Sequence, residues 1–137
     1  MYILDTNVIS ELRKAGKTHQ NVKKWAGLLP SASLYISVIS VLELEIGILL
    51  VDRRDKEQSA ILRAWMDRHV LPTFSERILP IDTDVAQRCA TLHVPNPRSD
   101  RDALIAATAL VHGLTVATRN VADFERTGVG VLNPWEA

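Results

Sequence analysis

Tyr2-Ile3-Leu4-Asp5-Thr6-Asn7-Val8-Ile9-Ser10 opens on three apolar residues, meets an acid, and passes into a helix begun by Thr6 and Asn7. Short apolar runs of the same kind recur at 34–37, 78–81, 115–117 and 129–132. Between them the apolar residues return with helical spacing, as at Val22, Trp25, Ala26 and Leu29, and again at Ile61, Leu62, Trp65 and Met66. Strands separated by helical crossovers predict a parallel α/β sheet with helices on both faces. Such sheets bind ligands outside the carboxyl ends of their strands. Asp5 stands at that place on the first strand.

Three further acids occur in distinctive strings. Glu43 lies in Ser40-Val41-Leu42-Glu43-Leu44-Glu45-Ile46-Gly47, Asp102 opens Asp102-Ala103-Leu104-Ile105-Ala106-Ala107-Thr108-Ala109, and Asp123 closes Thr118-Arg119-Asn120-Val121-Ala122-Asp123-Phe124. Glu43 falls near the start of the helix after the second strand, and Asp102 at the start of the helix leading into the fourth. Asp123 follows that strand by a short loop. The topology therefore permits all four at one sheet edge. Arg119 is the only cation within these strings, so the gathered carboxylates would repel one another, and a divalent cation is the usual remedy.

Each acid also has a structural reading. Asp5 is a favoured helix N-cap residue. Ser99-Asp100-Arg101-Asp102 matches a capping box, in which the acid bonds back to the cap. Asp123 can cap a short helical turn. Glu43 is harder to explain this way. At about 100° per residue, Ser40, Glu43 and Gly47 share one narrow polar strip on an otherwise apolar helix. An acid there is partly buried and needs a partner. Glu45 is expected on the apolar side, as an edge position or an oligomer contact. No single structural explanation covers all four acids.

The 137 residues, 47% of them hydrophobic, fill one core and are too few for two, so a single domain over 1–137 is expected. Sixteen basic and sixteen acidic residues cancel, so no global field draws the chain to nucleic acid or membrane. A polyanionic substrate would depend on bound metal and a few local cations. The single Cys89 forms no internal disulfide, which fits a reducing cytoplasm. Asp5, Glu11 and Arg13 interrupt any signal-peptide h-region, and Glu43 and Glu45 interrupt the longest apolar stretch, so neither a signal nor a membrane span is expected. The four histidines are scattered without metal-ligand spacing, and no zinc site is expected.

The exposed loops are expected at 14–17, 29–33 and 94–98. Trp25, Trp65 and Trp135 read as core or interface anchors rather than base-stacking platforms. His112-Gly113 reads as a helix C-terminus with a left-handed cap. The mixed-sign run 52–57 reads as a solvated helix end.

Taken together, these strings resemble those of the PIN-domain ribonucleases, specifically the VapC-type toxins of bacterial toxin–antitoxin pairs and their FitB-like subgroup. Leu4-Asp5-Thr6-Asn7-Val8-Ile9-Ser10, Glu43-Leu44-x-x-Gly47, the Asp102 string and the Asp123 string are similar to that family's four motifs, in order. The closing Asn133-Pro134-Trp135 is similar to the FitB-like tail, and the weakest segment, 53–77, carries no family motif.

The resemblance implies a three-layer α/β/α fold around a five-stranded parallel sheet. It implies Mg²⁺, or Mn²⁺, held by the acids and endonuclease action on RNA. It also implies a cognate antitoxin, a homodimer, and a larger assembly with the antitoxin on operator DNA. By matching positions, Asp5, Glu43, Asp102 and Asp123 inherit the acidic quartet, with Thr6, Thr118 and Asn120 as supporting polar groups.

Phosphodiester chemistry then assigns the metal to Asp5, Asp102 and Asp123, with Glu43 orienting or deprotonating the attacking water. Arg98 and Arg119 are the expected phosphate contacts. Apolar side chains such as Trp25, Leu28, Leu29 and Trp65 exceed what one small core buries, so some of them are expected to form a dimer or antitoxin groove; the alternative is that all are core. A second reading keeps the same family but makes the chain a catalytically weak module acting mainly in a DNA-bound autoregulatory complex with its antitoxin. A phosphotransfer domain fits poorly, because Asp5-Thr6-Asn7 lacks the second Asp of D-x-D.

Overall fold

Every strand pairing in the computed structural model is parallel. The structure describes residues 1–14 and 16–137, so Ala15 of the expected 14–17 loop lies outside the described residues. The strands are β1 (Tyr2–Leu4), β2 (Leu34–Ser37), β3 (Ile78–Leu79), β4 (Thr115–Ala117) and β5 (Val131–Leu132), in the spatial order β3-β2-β1-β4-β5. The helices are α1 (Thr6–Leu12), α2 (Gln20–Gly27), α3 (Val38–Asp52), α4 (Lys56–Trp65), the single turn α5 (Leu71–Thr73), α6 (Thr83–Leu92) and α7 (Asp100–His112).

The period-two alternation of the strands divides the core between the two faces. Leu4, Ile36 and Ala117 pack with Val8 and Ile9 of α1, Trp25 of α2, and Leu44 and Ile48 of α3. Ile3 and Val116 point the other way, onto Ile105, Ala106 and Ala109 of α7. Ala103 and Ala107, also on α7, meet Val85 and Cys89 of α6. The small residues of α7 let it lie close to the sheet, and the expected three-layer α/β/α architecture results. Leu4, Ile3, Ile36 and Ile105 are fully buried, and burial of each such side chain is worth about 1.5–3 kcal/mol.

Two strands are shorter than expected. β3 stops at Leu79 because Pro80 has no N–H to continue the ladder. β5 starts at Val131, after Gly128 turns the chain at φ +82° and the Val129 N–H goes to the Thr127 hydroxyl. Helix α2 ends at Gly27, leaving Leu29 beyond it. The periodic run at Ile61 continues past α4 into a π-helical turn, Met66–Val70, just ahead of Pro72.

Helix α7 ends as expected, with Gly113 at φ +68° and Leu114 N–H bonding Ala109 O at 2.8 Å. The charged run 52–57 forms the turn between α3 and α4, where Lys56 pairs with Asp52 and Asp55 caps α4. Among the described residues no helix is long and apolar enough to cross a membrane.

Candidate active site

The β1–β4 register builds the site. Leu4 pairs with Ala117, so the next residues of the two strands, Asp5 and Thr118, meet beyond the carboxyl ends. The Asp5 N–H bonds Ala117 O at 2.9 Å. The Thr118 hydroxyl donates to Asp5 Oδ2 at 2.8 Å, and Asn7 Nδ2 donates to the same oxygen at 3.3 Å. Asp5 Oδ1 accepts the Thr6 N–H at 2.8 Å. One oxygen of Asp5 thus caps α1 while the other turns toward Thr118.

Thr6 links this acid to the next. Its hydroxyl donates to Glu43 Oε1 at 2.8 Å and lies 3.0 Å from the buried Ser40 hydroxyl. The polar strip of α3 therefore faces α1, and beyond it Gly47 is exposed with open space over its Cα.

Asp102 sits half-buried in the first turn of α7. Ser99 is the N-cap there, but its side chain caps no backbone N–H, so the expected capping box is incomplete; a Ser99 side-chain hydrogen bond pulls weakly against the upward shift that burial gives Asp102. Asp123 lies exposed inside a 3₁₀ turn, Val121–Phe124, whose N-cap is Asn120. It does not cap that turn. Its N–H bonds Asn120 O at 3.1 Å, and the Asn120 N–H bonds the Thr118 hydroxyl at 3.0 Å.

The acids feel one another electrostatically. Burial pushes the Asp5 carboxyl above the ordinary aspartate range. The Thr118 and Thr6 hydrogen bonds oppose that shift, and the charges of Glu43 and Asp123 add to it. Asp102 is also raised, first by burial and then by the charges of Asp123, Asp5 and Glu43. These effects tie acids from four separate elements into one cluster.

Among the described residues no three His, Cys, Asp or Glu side chains form a ready-made ligand shell. The donors are hard carboxylate oxygens on an open, partly solvated edge. That set fits an ion such as Mg²⁺, which keeps several waters and takes one or two carboxylates rather than an all-protein cage.

The arginines divide by role. Arg98 ties its own loop down, with Nε on Leu92 O at 3.2 Å and one Nη on Glu125 O at 3.0 Å. Two of the donors expected to meet a phosphate are thus turned onto the chain's own carbonyls. Arg119 gives its N–H to Asn7 Oδ1 at 3.2 Å, and its guanidinium stacks 5.2 Å from the Trp135 ring centre. Arg101, one residue before Asp102, reaches Glu43 Oε2 at 3.6 Å.

Asn7 and Arg101 were not legible as site residues, although both adjoin the acid motifs. Asn7 is two residues past Asp5, where a helix start aims its amide back at the cap residue. The charge of Arg101 was hidden in what looked like a capping box.

Two expectations need correction. Glu45 does not face an apolar surface or an edge: it makes a bidentate pair with Arg63 of α4, at 2.6 and 3.0 Å. The reason is that α4 packs along α3 and brings the Arg63 guanidinium to this side of the helix, where its pairing holds the Glu45 carboxyl below its ordinary range. Nor are Trp25, Leu28, Leu29 and Trp65 all core, since Leu28 is exposed, and those that line a cavity do so at two separate places. Trp25 is buried, edge-on to Tyr2 at 5.1 Å between ring centres. With Leu28 it borders a cavity of about 120 Å³. Trp65 lines a different one of about 220 Å³, with Ile9, Leu12, His69, Val70 and Phe74.

The PIN domain family model matches residues 2–130. The chain is 38% identical over 141 residues to the VapC ribonuclease Y4jK of Sinorhizobium fredii, covering 99% of each chain. It is 37% identical over 140 residues to the Toxin FitB of Neisseria gonorrhoeae, covering 98% of this chain and 99% of that one. A solved structure of FitAB bound to an IR36 DNA fragment matches at a TM-score of 0.89 and 36% identity, over 98% of this chain and 96% of that chain.

Proposed function

Because this chain belongs to the PIN-domain family, we propose that it is a divalent-metal-dependent endoribonuclease, the toxin of a toxin–antitoxin pair. The observation that carries the site is the register that sets Asp5 beside Thr118 beyond β1 and β4, with Thr6 joining Asp5 to Glu43 and Arg101 of the Asp102 turn reaching Glu43. The ribonuclease name of the S. fredii relative and the toxin name of the gonococcal one supply the reaction and its biological setting.

Asp5, Asp102 and Asp123 would hold Mg²⁺ or Mn²⁺. When bound, the ion supplies Lewis-acid polarisation of a phosphoryl oxygen and a more acidic water. The chain's own groups do the rest. Thr118 and the Thr6 N–H fix both Asp5 oxygens in direction, so the carboxylate is presented without a rotamer search. Thr6 holds Glu43 Oε1, and the second oxygen, which Arg101 approaches only at 3.6 Å, is the one that would orient a water or take its proton. Asn120 and Asn7 keep the Thr118 hydroxyl in place.

The antitoxin is the partner. The apolar cavity around Trp65 and Phe74 is where a segment of it would seat. The exposed Leu49 and Leu50 of α3 and Ile61 of α4 supply surface for a homodimer. A second role accompanies cleavage: the FitAB–DNA structure supports an autoregulatory complex in which chain and antitoxin sit together on operator DNA. A protein that acts on RNA and operator DNA would work in the cytoplasm.

The test is cleavage of a single-stranded RNA panel by antitoxin-free protein. Activity should vanish with chelator and return with Mg²⁺ or Mn²⁺. Cleavage that persists in chelator would contradict the metal dependence, and no cleavage with either ion would contradict the nuclease reading and leave only the DNA-bound role.

A further inference from the structure

Glu43 and Glu45 stand two residues apart on α3, and each has an arginine partner of a different kind. Arg63 grips Glu45 through both nitrogens, at 2.6 and 3.0 Å. Arg101 touches Glu43 through one nitrogen only, at 3.6 Å, with 48% of its own side chain exposed. The first geometry is the strong planar fork of a structural pair. The second is a long single contact at the protein surface, of the sort that contributes little to stability.

Glu43 does not depend on Arg101 for its position. Its other oxygen is held by Thr6 at 2.8 Å, so the guanidinium can leave without releasing the carboxylate. Arg101 is also better placed than its neighbours to meet an anion. Arg98 turns its Nε and one Nη onto the Leu92 and Glu125 carbonyls, and the Arg119 guanidinium is held over the Trp135 ring, 5.2 Å from its centre. A chain with 16 basic and 16 acidic residues has no overall field to draw in a polyanion. An acidic edge would repel one further, so a local cation beside the acids is needed.

We propose that Arg101 is a movable counter-ion: it rests on Glu43 in the metal-free protein and turns to an RNA phosphate when a divalent cation occupies the carboxylates. This rests on the ribonuclease reading above. Arg101 contributes to substrate binding rather than to chemistry, and its positive charge opposes the metal until substrate draws it away.

The experiment has two arms on the full chain, wild type against Arg101→Ala and Arg101→Lys. The first measures Mn²⁺ affinity by calorimetry with no RNA present. Arg101→Ala should bind the ion several-fold more tightly, because a competing charge is gone, and Arg101→Lys should stay near wild type. The second measures cleavage of one RNA oligonucleotide against salt. Arg101→Ala should raise KM roughly tenfold with kcat nearly unchanged, as expected for one lost charge-assisted contact. The slope of log affinity against log salt should fall by about 0.7, the loss of one phosphate contact on a single strand. Arg101→Lys should recover most of both.

An unchanged KM and salt slope in Arg101→Ala would overturn the proposal, as would a loss confined to kcat or a weakened Mn²⁺ affinity. If wild type cleaves no RNA, the ribonuclease reading fails on its own, and the calorimetric arm still decides whether Arg101 competes with the ion.

Discussion

The Thr118 hydroxyl donates to Asp5 Oδ2 at 2.8 Å across 113 residues of sequence, and both residues are buried. It is the contact that turns a strand register into a site. It is also the strongest of the influences holding the Asp5 carboxyl down against burial. Thr118→Val keeps the shape and removes the donor. The Asp5 pKa should then rise further, and the acidic limb of the pH–rate profile should move to higher pH. Stability should fall by about 1–3 kcal/mol at neutral pH, since a buried charged acceptor loses a partner. That deficit should shrink in acid, where Asp5 is protonated. A profile with an unmoved acidic limb would separate Thr118 from the site.

Asp5→Asn should abolish cleavage while the apo protein melts no lower than wild type. Folding raises the Asp5 pKa above its ordinary value near 3.8, so folding favours the protonated form. The stability linked to this group is fully present below the ordinary value and is lost as pH rises through the folded one. Asparagine removes that loss and retains the cap oxygen. Melting curves across pH should therefore show the variant's advantage at neutral pH, fading as pH drops. A variant that is less stable than wild type at pH 7 would mean that Asp5 is a structural acid.

Glu43→Gln and Glu45→Gln should part company. Glu43 faces the acid cluster through Thr6, whereas Glu45 is engaged by Arg63 on the outer side of α3. Turnover should fall by about a hundredfold or more in Glu43→Gln, the scale of a lost general base. In Glu45→Gln it should stay near wild type, with at most about 1 kcal/mol of stability lost from a half-exposed pair. Equal losses of turnover would place both acids in one site.

Trp65→Ala should weaken the antitoxin complex without touching the acids, since Trp65 lines the apolar cavity beside α1. Co-expression followed by size-exclusion chromatography with light scattering reads both the antitoxin complex and the self-association of the free chain. Antitoxin retained at wild-type affinity would move the docking surface elsewhere.

Alternating apolar runs and helical stretches were enough to reach the parallel sheet, because period two and period 3.6 are written directly in residue order. The strip Ser40–Glu43 was legible for the same reason, and its partner Thr6 was already in view. What residue order did not carry was long-range pairing. Arg63 lies in the segment of weakest resemblance, which carries no motif, and nothing local says that it will meet Glu45. Arg101 and Asp102 looked like parts of a helix cap, and only the packing of α7 beside α3 turns Arg101 toward Glu43. The short strands β3 and β5 were overrun because Pro80 and the glycines at 128 and 130 act through backbone geometry, not hydrophobicity.

The most direct test of the acidic metal site is calorimetric titration of Mn²⁺ into chelator-treated protein, wild type beside Asp5→Asn and Asp102→Asn. Wild type should bind the ion with a measurable heat, and each variant should lose most of that affinity while keeping its fold by circular dichroism. Binding that is equal in all three, or absent from wild type, would contradict the assignment of Asp5 and Asp102 as the groups that hold the metal.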